Sequence, residues 1–176
     1  MDTPPRGVVT HQNCLAVLGL RQASELARLL GKRPLAAAWN RMADQLARAI
    51  NRHLWCERKR AYYDCIHEDG TFSKVFSQQT HTAACISGVA DGPRAERCRS
   101  IMEKAPKGFV RAGSPFFMFF VLEGLVRERR SQELIDTIRS YWGVQIEQGA
   151  DTFWEMYHPD RPRKTRSHCH GWSAAP

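Results

Sequence analysis

The sequence predicts an all-α protein assembled from helical hairpins, with one interruption. Apolar residues recur at helical spacing in about six segments, and Gly/Pro breaks divide those segments into consecutive pairs. Residues 55–76 lack that spacing. They carry Tyr62-Tyr63 and the turn signal Glu68-Asp69-Gly70, which predict a loop or a short β-excursion.

In the first segment, residues 13–30, Leu15, Leu18, Leu26 and Leu29 form the expected apolar stripe. Gly31-Lys32-Arg33-Pro34 breaks it, with Gly31 as the C-terminal cap. A second helix is expected over residues 35–54, with Trp39, Met42, Ala43, Leu46 and Ile50 inward. Helical spacing resumes at 77–89 and again at 94–104, where Pro93 suits a helix start and Cys98, Ile101 and Met102 point inward. Ser114-Pro115 is a strong N-cap and N1 pair for a helix over 115–127. That segment is apolar nearly all round, which predicts burial on most faces. Ser131 is expected to cap a last helix over 132–142, with Leu134, Ile135 and Ile138 inward and Gly143 as its stop. Such a succession of hairpins suits a bundle, a solenoid or part of a toroid.

The chain's 176 residues are enough to bury a core, and 43% hydrophobic with 25% charged residues is ordinary globular composition. The net charge of +8 comes from 20 Arg and 6 Lys spread along the chain. The densest patches, at 58–60, 127–130 and 161–166, contain no recognition motif, so a solvated basic surface is expected rather than a nucleic-acid site. Six cysteines stand at irregular spacing with no CxxC, which argues against a disulfide framework. No apolar leader precedes Thr10, and the longest apolar run is too short to span a bilayer. The default expectation is a cytoplasmic protein with no membrane partner.

Residues 151–172 are the richest in chemistry. Phe153-Trp154-Glu155-Met156-Tyr157 sets one carboxylate among aromatics, the residue types that stack on sugar rings and carry general acid or base work. A surface or capping Glu beside core aromatics is the plainer alternative. His168-Cys169-His170 offers metal-ligand types, but its only companions, His158 and His81, sit in no ligand spacing, so no metal is expected. Adjacency does not make Cys169 and its neighbours a catalytic dyad. Phosphate-binding glycine loops are absent, and no cofactor is expected. Gln78-Gln79-Thr80-His81 opens a helix with four polar side chains, which suit either a polar cleft or a solvent-exposed cap.

Four blocks occur in order: residues 77–81 (SQQTH), 113–123 (GSPFFMFFVLE), 149–155 (GADTFWE) and 167–173 (SHCHGWS). Together they resemble the C-terminal part of the six-hairpin catalytic domain of bacterial α-L-rhamnosidases, glycoside hydrolase family 78. The resemblance runs from about residue 9 to the end. It implies a partial (α/α)6 toroid and inverting hydrolysis of terminal α-L-rhamnosyl linkages in a glycoside or polysaccharide. It also implies that Glu155 is the general base, that Trp154 shapes the sugar site and that His170 hydrogen-bonds the sugar. Asp151 stands where the family more often has Thr; pointed inward, it would push the Glu155 carboxyl up by like-charge repulsion.

Inversion needs a second carboxyl group as general acid, about 6.5–9.5 Å from the base. In the family it lies in an earlier acidic segment that this sequence lacks. A full toroid of twelve helices needs on the order of 300 residues at about 12 per helix plus connections. The expectation is therefore an incomplete catalytic domain over residues 1–176, cut at both ends and inactive alone. Its open edges could drive self-association. The alternative is a small basic helical protein that binds nucleic acid or a protein partner.

Overall fold

The computed structural model describes residues 1–157 and 167–174. Its elements are β1 (Gly7–Val9), α1 (Thr10–Leu29), α2 (Arg33–His53), β2 (Trp55–Cys56), β3 (Ala61–Tyr62), β4 (Cys65–His67), α3 (Gln78–Ile86), α4 (Gly92–Glu103), α5 (Pro115–Arg127) and α6 (Ser131–Glu147). They fall into two compact units, Met1–Arg111 and Ala112–Pro176. Among the described residues no helix is long and apolar enough to cross a membrane. All six cysteines are free thiols.

In the first unit α1 packs on α2, α3 on α4, and α1 on α3. The core is made of small residues: Cys14 and Val17 on α1, Ala43, Ala47 and Ile50 on α2, Ala83 and Ala84 on α3, and Cys98 on α4. Small side chains let helix axes approach closely, and this corrects the expected stripes. Leu26 and Leu29 on α1 and Met42 on α2 are exposed, because the contacting faces are the Cys/Val/Ala rows beside them. Cys98, Ile101 and Met102 are fully buried, as their spacing predicts.

The expected β-excursion is present as two antiparallel ribbons. β2 pairs with β3, while β4 pairs with β1, so that Gly7 faces His67 and Val9 faces Cys65. The N-terminal strand has too few residues to show any periodicity, and only its pairing defines it. Gly7 is obligatory there: its φ is +118°, and a Cβ would stand 2.3 Å from the Ile66 carbonyl oxygen.

The block Ser77–His81 is interior, neither an exposed cap nor a cleft. Asp64, fully buried, accepts from Ser77 Oγ (2.7 Å) and Thr80 Oγ1 (2.8 Å) through Oδ1, and from the Asp2 amide (2.9 Å) through Oδ2. Gln78 Nε2 donates to the Met102 carbonyl (2.7 Å), and Gln79 Nε2 to that of Arg111 (3.4 Å). His81 accepts the Tyr62 amide proton at Nε2 (3.0 Å) and donates from Nδ1 to the Ser77 carbonyl (2.7 Å). These side chains close the β-excursion onto α3 and satisfy backbone groups that would otherwise be buried unpaired.

The second unit is the α5–α6 hairpin and the segment after it. α5 starts at Pro115 behind Ser114, yet Ser114 makes no capping bond through its side chain. Phe117, Met118, Val121, Leu122 and Leu125 are buried, whereas Phe116, Phe119 and Val126 are exposed; the all-round apolar helix is covered on one broad face. α6 differs from expectation at both ends. Ser131 is its first helical residue and caps nothing, and the helix runs through Gly143 to Glu147. A mid-helix Gly costs about 1 kcal/mol against Ala. The continuous turn around it buries Trp142 on one side and Gln145 on the other, which outweighs that cost, while Ile135 stays exposed.

Candidate active site

The site belongs wholly to the second unit. After α6 the chain turns at Gly149, with φ +81°, and residues 153–155 run beside residues 167–170. The Glu155 amide donates to the Ser167 carbonyl (2.9 Å), and the His170 amide donates to the Phe153 carbonyl (2.8 Å). Thr152 Oγ1 donates to the His168 carbonyl. These bonds bring Glu155 and His170, 15 apart in sequence, to one open hollow of about 330 Å3. Its other walls are Ser114, Phe116, Met156 and Trp172.

α6 supplies the frame behind. Gln145 is 3% exposed, and its side chain is spent on the backbone around Glu155. Nε2 donates to the carbonyls of Trp154 (3.5 Å) and Met156 (3.3 Å), and Oε1 accepts from the Trp154 amide (3.5 Å). Trp142 Nε1 donates to the Ser173 carbonyl (3.2 Å). Ser173, buried in a short 3-10 turn over Gly171–Ser173, places its Oγ 2.8 Å from His170 Nδ1. With Nδ1 engaged, Nε2 is the ring nitrogen left to address a ligand.

Glu155 and His170 thus line one hollow. Trp154 is not with them. It is 7% exposed and stacks on His168 with ring centroids 4.7 Å apart, behind the walls of the hollow. Trp154 is therefore held against the protein rather than presented to the hollow that Glu155 lines. The aromatic surface at the hollow is instead Trp172, 69% exposed, set edge-to-face against Phe116 at 5.4 Å. Asp151 is exposed and lines a separate hollow beside Ala150 and Thr152, so the inward placement that would couple it to Glu155 is not adopted. His168, Cys169 and His170 diverge: one stacks on Trp154, one is exposed, one bonds Ser173. His158 and the basic patch 161–166 lie outside the described residues.

Sequence reading missed Trp172 and Gln145. Trp172 lies in the 167–173 segment, where no local signal marks it above Trp154, which adjoins the carboxylate. Gln145 follows Gly143, where the helix was expected to have ended.

A paired-helix domain whose last segment holds a carboxylate and an imidazole at an open, aromatic-walled hollow defines the class. A family model, the bacterial alpha-L-rhamnosidase 6 hairpin glycosidase domain, matches residues 3–176, and the chain belongs to that family. Among solved structures, a GH78 family rhamnosidase of Bacillus sp. GL1 is 42% identical with a TM-score of 0.91, over 99% of this chain and 19% of that one. A rhamnosidase from Klebsiella oxytoca with rhamnose bound is 24% identical with a TM-score of 0.77, over 93% of this chain and 32% of its own. The second likeness shows the fold. The chain therefore spans about a fifth to a third of the length of these relatives. No curated protein sequence matches it.

Proposed function

We propose that the chain carries the general-base side of an inverting glycoside hydrolase site acting on terminal α-L-rhamnosyl linkages, without the general acid. The observation that carries this reading is the hollow that sets Glu155 and His170 beside Phe116 and Trp172. A volume of about 330 Å3 is at the small end of ligand sites and suits one sugar ring. Trp172 offers a face for the apolar side of the ring, His170 Nε2 a hydrogen bond to a hydroxyl, and Glu155 an acceptor for the proton of an attacking water. Glu155 is the only carboxylate among the described residues that line the hollow. An inverting mechanism needs a second one across the sugar. The family match favours this reading over a basic nucleic-acid-binding surface. The six free thiols support a reducing compartment.

The leaving group tests the reading. Dinitrophenolate departs from a dinitrophenyl α-L-rhamnoside without protonation, whereas the alkoxide of an alkyl rhamnoside requires an acid. The expected result is slow turnover of the activated substrate, with inversion seen by NMR, lost in Glu155→Gln, and negligible turnover of the alkyl substrate. Rapid cleavage of the alkyl rhamnoside would show that an acid is present. Activated turnover that survives Glu155→Gln would remove Glu155 from the mechanism.

A further inference from the structure

Far from that hollow in sequence, the first unit gathers three metal-ligand side chains on one face of β4. Cys65 and His67 are two residues apart on a strand, so both side chains leave the same face. The N-terminal segment passes over that face. The close β1–β4 pairing at Gly7 starts it there, Arg6 pairs with Glu68 at 3.2 Å, and the Asp2 amide is anchored on Asp64. This delivers the Asp2 carboxylate to the other two: His67 Nε2 is 3.1 Å from Asp2 Oδ2 and 3.8 Å from Cys65 Sγ. One donor atom from each residue lies within 4.8 Å of the others.

We propose that Asp2, Cys65 and His67 form a binding site for a zinc-class divalent ion. Around a tetrahedral zinc ion, with Zn–S about 2.3 Å and Zn–N or Zn–O about 2.0–2.1 Å, the ligand atoms stand roughly 3.3–3.6 Å apart. The 3.1 and 3.8 Å separations differ from that by a few tenths of an ångström, and the third, between Asp2 and Cys65, is within 4.8 Å, so rotation of the partly exposed Asp2 side chain closes the set. Thiolate and imidazole select zinc or cobalt(II) over calcium or magnesium. Binding forms a metal–sulfur bond, and the proton leaving Cys65 Sγ goes to solvent. Ser73 Oγ donates to Asp2 Oδ2 at 2.7 Å and so holds the carboxylate in orientation. His67 also lines an open hollow of about 680 Å3 with Pro4, Arg6, Glu68 and Asp69, so a fourth ligand, water or a small donor, can enter from solvent. The site is independent of the rhamnosyl reading.

Cobalt(II) is the probe, added to the purified chain under a phosphine reductant. The expected result is a near-ultraviolet thiolate-to-cobalt charge-transfer band, bleached by zinc chloride and unmoved by calcium chloride. Cys65→Ser abolishes the band, and Cys169→Ser, at the exposed thiol, keeps it. Losing a group that merely orients a ligand weakens metal sites about 10–100-fold, so Asp2→Asn and His67→Gln, which alter a ligand itself, weaken cobalt by at least about tenfold. Both side chains are partly exposed, so these two variants decide the matter if Cys65→Ser fails to fold. The absence of any band, a band lost in Cys169→Ser, or affinity unchanged in both Asp2→Asn and His67→Gln overturns the site.

Discussion

Replacing Gln145 with Met tests whether α6 holds the segment that carries Glu155. Met keeps the length and most of the volume of Gln and removes both polar ends, so the packing term stays small. What is lost are the three hydrogen bonds to the backbone of Trp154 and Met156, at 3.3–3.5 Å. Bonds of that length belong at the weak end of the net range, about 0.5 kcal/mol each. The larger effect is the Trp154 amide, whose residue is buried: a buried donor left without a partner costs about 1–3 kcal/mol. The two carbonyl bonds and the orphaned amide together predict a destabilisation of about 2–4 kcal/mol. Urea unfolding followed by tryptophan fluorescence reads it directly, because Trp142 and Trp154 lie on either side of the substitution. A loss under about 0.5 kcal/mol would refute the argument, since the segment would then be held by residues 167–170 alone.

Asp64→Ala leaves Ser77 Oγ, Thr80 Oγ1 and the Asp2 amide without their buried acceptor. The expected loss is at least about 3 kcal/mol in chemical denaturation, with Asp64→Asn intermediate, and an unchanged midpoint would contradict the network. His81 gives a pH signature. Burial pushes its imidazole down to about 4 from the ordinary 6.5, against opposing contributions from the Ser77 carbonyl and Asp64. The unfolded chain therefore binds the proton first as pH falls. The stabilisation is full above 6.5 and is lost progressively down to about 4, by up to roughly 3 kcal/mol. The difference in stability between the parent chain and His81→Gln should shrink across that window, and a constant difference would show that His81 does not titrate there.

The helices were legible because their signals are local. Pro93 and Pro115 fix starts, and Cys98, Ile101 and Met102 keep strict spacing on one face. What the pattern could not show was which of two adjacent faces wins. Leu26 and Leu29 are the more hydrophobic choice on α1, yet the neighbours of α1 meet its Cys14, Val17 and Ala27 row. The decision belongs to α2 and α3, which offer alanines and so reward close approach over large side chains. Gly143 follows the same logic: its local cost is real, and the tertiary gain from burying Trp142 and Gln145 lies outside any local window.

The site divides along the same line. Glu155 and His170 stand out as residue types inside recognisable blocks, and two backbone bonds between 153–155 and 167–170 suffice to join them. Their supports do not stand out. A glutamine near the end of α6 and a serine in a small-residue run look like surface, until Gln145 is found against the Trp154 backbone and Ser173 against His170. Trp154, next to Glu155 in sequence, is buried against His168 and does not line the hollow, while Trp172 does, and no local signal separates the two. Strand alternation read over two residues places Cys65 and His67 side by side on β4. It is silent on Asp2, which only the β1–β4 pairing brings across. Side chains that converge through a strand register between distant segments leave no spacing to read, and that is why the metal-ligand trio escapes a search for motifs.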